Sequence, residues 1–470
     1  MTTTVRPTVD RSGATSQARL TAAARPVRHG LTDRVTSNSA PLVAVLGMAG
    51  ILVALGYGMN HTRYRVWGGF WVAPLLLLFS LPVARRAART DGDAMGRIVL
   101  FAAAAKVFVA PLLRYWLTFG LYGGAADALH YDQAGTILAP LFRHGNYQSL
   151  GHISGTRFLE IVTGQVYAFT GPTLLGGFMV FSWFSFLGCY LFYRAFRTTY
   201  PDGDGRRYAV LVFFFPTLFY WPSSVGKEAF MLLLLGAAAL GAAQLLAGRL
   251  RGLVWLGLGV WGCAVLRPHM ALLVGAGLVV AAPIVALRGS ASREGRRRGR
   301  LGGAVLMLAL ILSASTLIGV AESFFHLQSL NTETAQEQFD VVTQRSGEKG
   351  STFTPSSPNN PVGFVLSGVT VLFRPFPGEV RNAQGVLSSL EGLSLLVLCG
   401  VAGRRLARVP REIFRRPYVA FVVVYTFAFI YAFSSIANFG ILARERCQLL
   451  PALFVVLCIP RRRSEVCPAP

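Results

Sequence analysis

The chain has 470 residues, 53% of them hydrophobic and only 14% charged, which excludes an ordinary soluble protein of this size and places the chain in a bilayer. A formal charge of +24 would suit a polyanion partner, but the basic residues form no continuous arm and recur between apolar runs. Nucleic acid is therefore not the expected partner, and only Arg296, Arg297 and Arg298 keep a minor polyanion-binding reading.

Residues 1–39 are polar, rich in Thr, Ala and Arg, and lack the apolar core of a signal peptide. They read as a disordered cytoplasmic tail. Apolar runs follow at 40–58, 67–83, 98–119, 173–193, 208–221, 229–247, 252–266, 269–287, 301–319, 386–402, 417–434 and 446–460, most of them long enough to cross a hydrocarbon core of about 30 Å. The expected fold is all-α: a polytopic bundle, 40–460, of about a dozen spans, with a short tail at 461–470. If the Arg-rich connections lie on one side, that side holds 31 of the 45 Lys and Arg and a net +22, against +2 for the remainder. This positive-inside asymmetry puts both termini in the cytoplasm of a cell that carries the protein in its plasma membrane.

Parity then keeps two moderately apolar stretches, 127–142 and 156–170, from being crossings. Each predicts a helix at the extracytoplasmic surface, within a loop at 120–172. A second extracytoplasmic loop, 320–385, predicts a helix at 331–344, a flexible Gly- and Pro-rich stretch at 347–361, and a surface or re-entrant helix at 362–373. The short spans 208–221 and 252–266 end at Trp221-Pro222 and Arg267-Pro268-His269, where proline interrupts helical hydrogen bonding and can open a polar recess.

Three constellations carry the charge chemistry. Asp127 heads the first surface helix, with His130 and Tyr131 at spacings of three and four on its face and Asp132 off that face. Its carboxylate suits a general base toward an acceptor hydroxyl, or a ligand to a divalent cation, with a helix N-cap as the bland alternative. Lys227 and Glu228 are adjacent, so they do not face each other, and each needs another partner. The lysine suits a lipid-linked phosphate, or simply snorkels. The third set is Arg267 with His269, Arg374 with Glu379, and Asn438 with Arg444, Glu445 and Arg446, whose guanidinium forks match phosphate oxygens unless they are taken by carboxylates. Asp91-Gly92-Asp93 and Asp202-Gly203-Asp204 have the form of a metal-holding motif, but they fall on cytoplasmic loops and read as solvated turns. The six cysteines share no extracytoplasmic loop and no zinc spacing, so neither a disulfide nor a cysteine metal cluster is expected.

An acidic residue just after a span, heading a loop with two surface helices and followed by a multi-span bundle, resembles the class C membrane glycosyltransferases and related bacterial polysaccharide polymerases. Phe215-Pro216, 221–228, Arg267-Pro268, 374–379 and 438–446 look like phrases of that group, across most of 98–460. The resemblance implies a polyprenyl-phosphate or polyprenyl-diphosphate sugar donor and a glycan or lipid acceptor. It makes Asp127 the catalytic carboxylate and gives phosphate to Lys227, Arg267 and Arg444. The first loop lacks the group's paired acids, which leaves a divalent cation open. A polymerase variant would hold its growing chain with Arg345, Lys349, Arg374 and Arg381. The rival class is a transporter or flippase, which should carry polar groups through the midplane; Lys106 is the one such residue that stands out. A noncatalytic scaffold is the third reading.

Overall fold

The computed structural model describes residues 55–121, 127–147, 153–287, 352–380 and 383–460, with a few positions outside these runs. The span expected at 301–319, most of that at 40–58, both tails, most of the helix expected at 331–344, and Arg345, Lys349 and Arg381 lie outside the described residues. Residues 55–60 are helical and belong to a first compact unit, Met1–Asn60. In the second unit, His61–Pro470, the regular structure of the described residues is helical, with one isolated bridge between Thr352 and Asn438 and no strand among them.

Helix α1, Tyr64–Asp91, turns at Gly92 into α2, Asp93–Leu121, and the two pack together. Gly92 adopts φ 93°, a left-handed conformation open chiefly to glycine, so the Asp-Gly-Asp turn is real. Its solvation is not: Asp91 is ion-paired with Arg197 at 2.7 Å and Arg194 at 3.4 Å, and its side chain is buried. In the other such turn Asp204 accepts a hydrogen bond from the Arg207 amide at 2.9 Å and caps the following helix.

The helices expected at 127–142 and 156–170 are α3, Asp127–Arg143, and α4, Gly155–Thr170, which pack on each other. Next come α5, Leu174–Thr199, α6, Gly205–Phe214, and α7, Pro216–Tyr220. The run 208–221 is thus two helices, because Phe215 precedes a proline and is held extended. Then follow α8, Lys227–Leu246, α9, Gly252–Leu266, α10, Pro268–Leu287, α11, Pro361–Phe373, and α12, Ala383–Val401. Two short helices, α13, Gly403–Leu406, and α14, Val409–Arg415, lead to α15, Pro417–Phe433, α16, Phe439–Glu445, and α17, Leu450–Leu457.

Six of these helices, α1, α2, α5, α8, α10 and α12, are long and apolar enough to cross a membrane, and α9, α11 and α15 are shorter apolar helices. The most apolar windows of α8 and α5 are 83% and 78% buried, against 28% for α1 and α12, so α8 and α5 form the centre. Apolar side chains gain little from helix–helix burial in lipid, and close backbone approach must supply the packing instead. Gly188 of α5 and Gly236 of α8 provide it: a Cβ on Gly236 would stand 2.5 Å from the Gly188 carbonyl oxygen, and one on Gly188 would stand 2.3 Å from that of Leu232.

One end of the unit is arginine-rich. There Arg416 donates to the Thr199 carbonyl and lies over the Tyr200 ring, Arg405 donates to the Leu457 carbonyl, and Arg408 to that of Pro460.

Gly236→Ala is expected to lower the melting temperature of the detergent-solubilised protein, since overpacking costs about 1–3 kcal/mol. Gly257→Ala on α9, where a Cβ meets nothing within 4 Å, should leave the melt unchanged or raise it. Equal melts for the two variants would contradict the close packing of α5 on α8.

Candidate functional site

A cavity of about 380 Å³ opens among the end of α2, the start of α3, the segment between α7 and α8, and α16. The chain makes room by breaking its helices there. After α7 the residues Trp221 to Gly226 have no regular structure, and α8 starts at Lys227. Pro268 halts α9, leaving Arg267 non-helical with φ −149° and its side chain on the cavity wall. Asn438 caps α16, accepting hydrogen bonds from the amides of Gly440 at 2.9 Å and Ile441 at 3.2 Å.

Of the residues singled out by sequence, Asp127, Tyr131, Lys227, Glu228, Arg267, Asn438 and Arg444 share this cavity. Arg444 is the junction. Its Nη1 donates to Asp127 Oδ2 at 2.8 Å, and its Nε lies 3.3 Å from Glu228 Oε1. Arg267 joins Glu228 through Nη2 at 3.2 Å and Glu445 through Nη1, and Gln448 donates to Glu445 from behind. Lys227 and Glu228 do have separate partners: Lys227 donates to the Thr156 hydroxyl of α4 at 2.9 Å, and Glu228 belongs to the arginines. Burial, with the Glu228 and Asp127 charges adding to it, pushes the Tyr131 phenol up to about 12, so it remains a hydrogen-bond donor at neutral pH.

The wall also carries a cation that the sequence reading passed over. Arg114 sits in the apolar run of α2, with its guanidinium 4.4 Å from the Tyr220 ring centre and 4.8 Å from that of Trp221. Its Nε has no hydrogen-bond partner among the described residues. A signal was available, because an arginine inside an apolar run is a site marker by default. Four cations thus meet three carboxylates here, and neither Arg114 nor Lys227 is ion-paired among the described residues.

The other candidates lie elsewhere. His130 is exposed and contacts Glu160 of α4 at 2.9 Å, a carboxylate that Arg157 also holds at 2.9 Å. Asp132 accepts from the buried Tyr167 hydroxyl at 2.6 Å between α3 and α4, and burial raises its carboxyl against that hydrogen bond. His269 packs edge-on against Phe433 at 5.8 Å. Arg374 pairs with Glu379, and Arg446, fully buried, donates to the carbonyls of Val371 at 3.0 Å and of Arg374. Burial would raise the Glu379 carboxyl, but hydrogen bonds from Arg374 and the Phe376 amide hold it below the usual range.

A divalent cation on Asp127 finds little to hold it. No group of three or more metal-ligating side chains occurs among the described residues, and the guanidinium of Arg444 occupies the near side of the Asp127 carboxylate. The five described cysteines are free thiols.

Losing Glu445 would leave the buried Arg267 only a share of Glu228, which Arg444 also holds, so Glu445→Gln is expected to cost about 3–5 kcal/mol in a detergent melt. Lys227→Ala should cost less than about 1 kcal/mol, since only a hydroxyl contact is lost. Asp132 gives a pH test. Its raised carboxyl weakens the fold when ionised, and that cost fades as pH falls through the raised value toward the ordinary 3.8. Asp132→Asn, which keeps an oxygen for Tyr167, should therefore match or exceed wild-type stability at pH 7 and lose its advantage near pH 4. A variant less stable than wild type at pH 7 would refute this sign. Comparison of the chain with family models, curated proteins and solved structures finds no match.

Proposed function

We propose that the chain is a membrane glycosyltransferase of the class C type, moving a sugar from a polyprenyl-phosphate or polyprenyl-diphosphate donor to a glycan or lipid acceptor. In this reading the bundle has about a dozen crossings, the arginine-rich end is cytoplasmic, and α3 and α4 lie at the extracytoplasmic surface beside the cavity. The observation that carries the reading is an exposed carboxylate, Asp127, on the same cavity as two cations, Arg114 and Lys227, that pair with no carboxylate among the described residues. Unpaired cations beside a membrane-embedded helix end suit an anionic lipid head group.

The chemistry follows from that placement. An acceptor hydroxyl oxygen forms a bond to the anomeric carbon while the bond from that carbon to the phosphate oxygen breaks. The phosphate leaves with the electron pair, and Arg114, Lys227 and Arg444 offset the charge that grows on it. Asp127 takes the hydroxyl proton. Tyr131, protonated, donates to a ligand oxygen.

Two variants of the reading fare less well. Transport needs polar groups along the path, and Lys106, the mid-span cation, is fully buried with Nζ on the Leu218 carbonyl and the Ser185 hydroxyl at 3.3 Å, away from the cavity. The polymerase variant loses Arg374 as a glycan-holding group, since Glu379 and two aromatic rings already occupy it.

The test is sugar transfer by protein reconstituted in nanodiscs with a polyprenyl-diphosphate sugar. Asp127→Asn is expected to lower kcat by about 10²- to 10⁴-fold, the usual worth of a positioned base. Lys227→Ala and Arg114→Ala should raise KM for the donor and also lower kcat, since the phosphate charge they offset grows in the transition state. Undiminished turnover by Asp127→Asn would remove it from the mechanism, and movement of the lipid across proteoliposomes without covalent change would establish the transporter instead.

A further inference from the structure

The segment from Arg374 to Glu379 contributes no side chain to the main cavity, yet it is fixed with unusual thoroughness. Arg374 lies over the stacked rings of Phe353 and Phe439, 4.7 and 4.9 Å from their centres, and Glu379 takes both its guanidinium and the Phe376 amide. The buried Arg446 holds the Arg374 carbonyl. Charge is thereby consumed within the segment. Pro375 of the segment and Val380 just after it wall a second chamber of about 80 Å³.

This chamber adjoins the main cavity. Trp221, Gln384 and Gly440 line both. The remaining walls are Gly385, Ser388 and Phe439, so among the described residues no charged side chain lines it, whereas its neighbour holds four cations. An anion entering it would lose its hydration with no described cation to pair with. A neutral hydroxyl-bearing group fits better, because the Gln384 amide and the Ser388 hydroxyl each both donate and accept, and the Trp221 and Phe439 rings offer apolar faces. The volume is several times the roughly 10–15 Å³ that one water requires, enough for a single ring and too small for a chain.

We propose that this chamber is a subsite for one uncharged, hydroxyl-bearing sugar ring, placed beside the anion cavity. Its assignment to the acceptor rests on the glycosyltransferase reading; its preference for a neutral ring does not.

The experiment uses the full chain in nanodiscs and two probes. A panel of methyl hexopyranosides and pentofuranosides is followed by saturation-transfer NMR, and farnesyl diphosphate by calorimetry. At least one glycoside is expected to bind. Ser388→Leu and Val380→Phe, which each add bulk to a wall of the chamber, should each weaken it about tenfold or more. Both variants should still bind farnesyl diphosphate, which also shows that they are folded, and Arg114→Ala should show the reverse pattern. Glycoside binding without diphosphate binding by the wild type would sink the donor reading and leave the subsite standing. Absence of glycoside binding at millimolar concentration, or binding that both filled variants retain, overturns the subsite.

Discussion

The Glu228 carboxylate, shared between Arg267 and Arg444, is the contact on which the rest of this end of the bundle depends. It is buried, as is Glu445, and an ion taken out of water costs several kcal/mol unless its partners are close and its remaining lone pairs are filled. Arg267 meets that requirement for both acids at once, reaching a glutamate 178 residues away as well as one 39 residues away. The start of α8, the α9–α10 junction and α16 are therefore locked to one another by charge, at a place where apolar packing alone would allow them to slide.

That lock explains why the cavity is there. Arg267 can turn its fork inward only because Pro268 ends α9, and Glu228 can meet it only because α8 starts late, after the irregular stretch from Trp221. Each break exposes backbone groups that the hydrocarbon of a membrane could not satisfy, so breaks of this kind belong where protein or water lines the space. The same residues that interrupt the helices supply the charges that hold the interruption open.

Much of this was legible in the sequence, and the exceptions share a cause. Moderate apolarity placed α3 and α4 within one residue of their limits, and Trp221-Pro222 and Arg267-Pro268 marked two of the breaks, whereas the step at Phe215-Pro216 went unread as a break and 208–221 stood as a single span. The cavity set of Asp127, Lys227, Glu228, Arg267 and Arg444 could be named because each sits at a span end. What sequence could not show is which charges cancel. Arg374 and Arg446 have the residue type for phosphate but spend it on Glu379 and on backbone carbonyls, and Asp91 looks like a solvated turn acid but is buried against Arg197. Arg114 erred the other way. Its partners are the rings of Tyr220 and Trp221, more than a hundred residues on, and no local pattern announces a cation held by aromatic faces.

The cluster is also unequal along its length. At the inner end, Glu228, Glu445 and Arg267 are buried, and exchanging any of their contacts would strand a charge. At the outer end the Asp127 side chain is 73% exposed and meets the half-buried Arg444 through a single donor at 2.8 Å. Exposed pairs of that kind are worth about 0–1 kcal/mol, because water competes for both partners. Arg444 faces two carboxylates with different edges of one planar fork, which the single point charge of a lysine could not do. Its hold on Glu228 fixes the guanidinium, while its hold on Asp127 can be surrendered at little cost. In the proposed reading an anion entering the cavity would find an arginine already oriented by Glu228, whose weaker hold on Asp127 it could displace, freeing that exposed carboxylate.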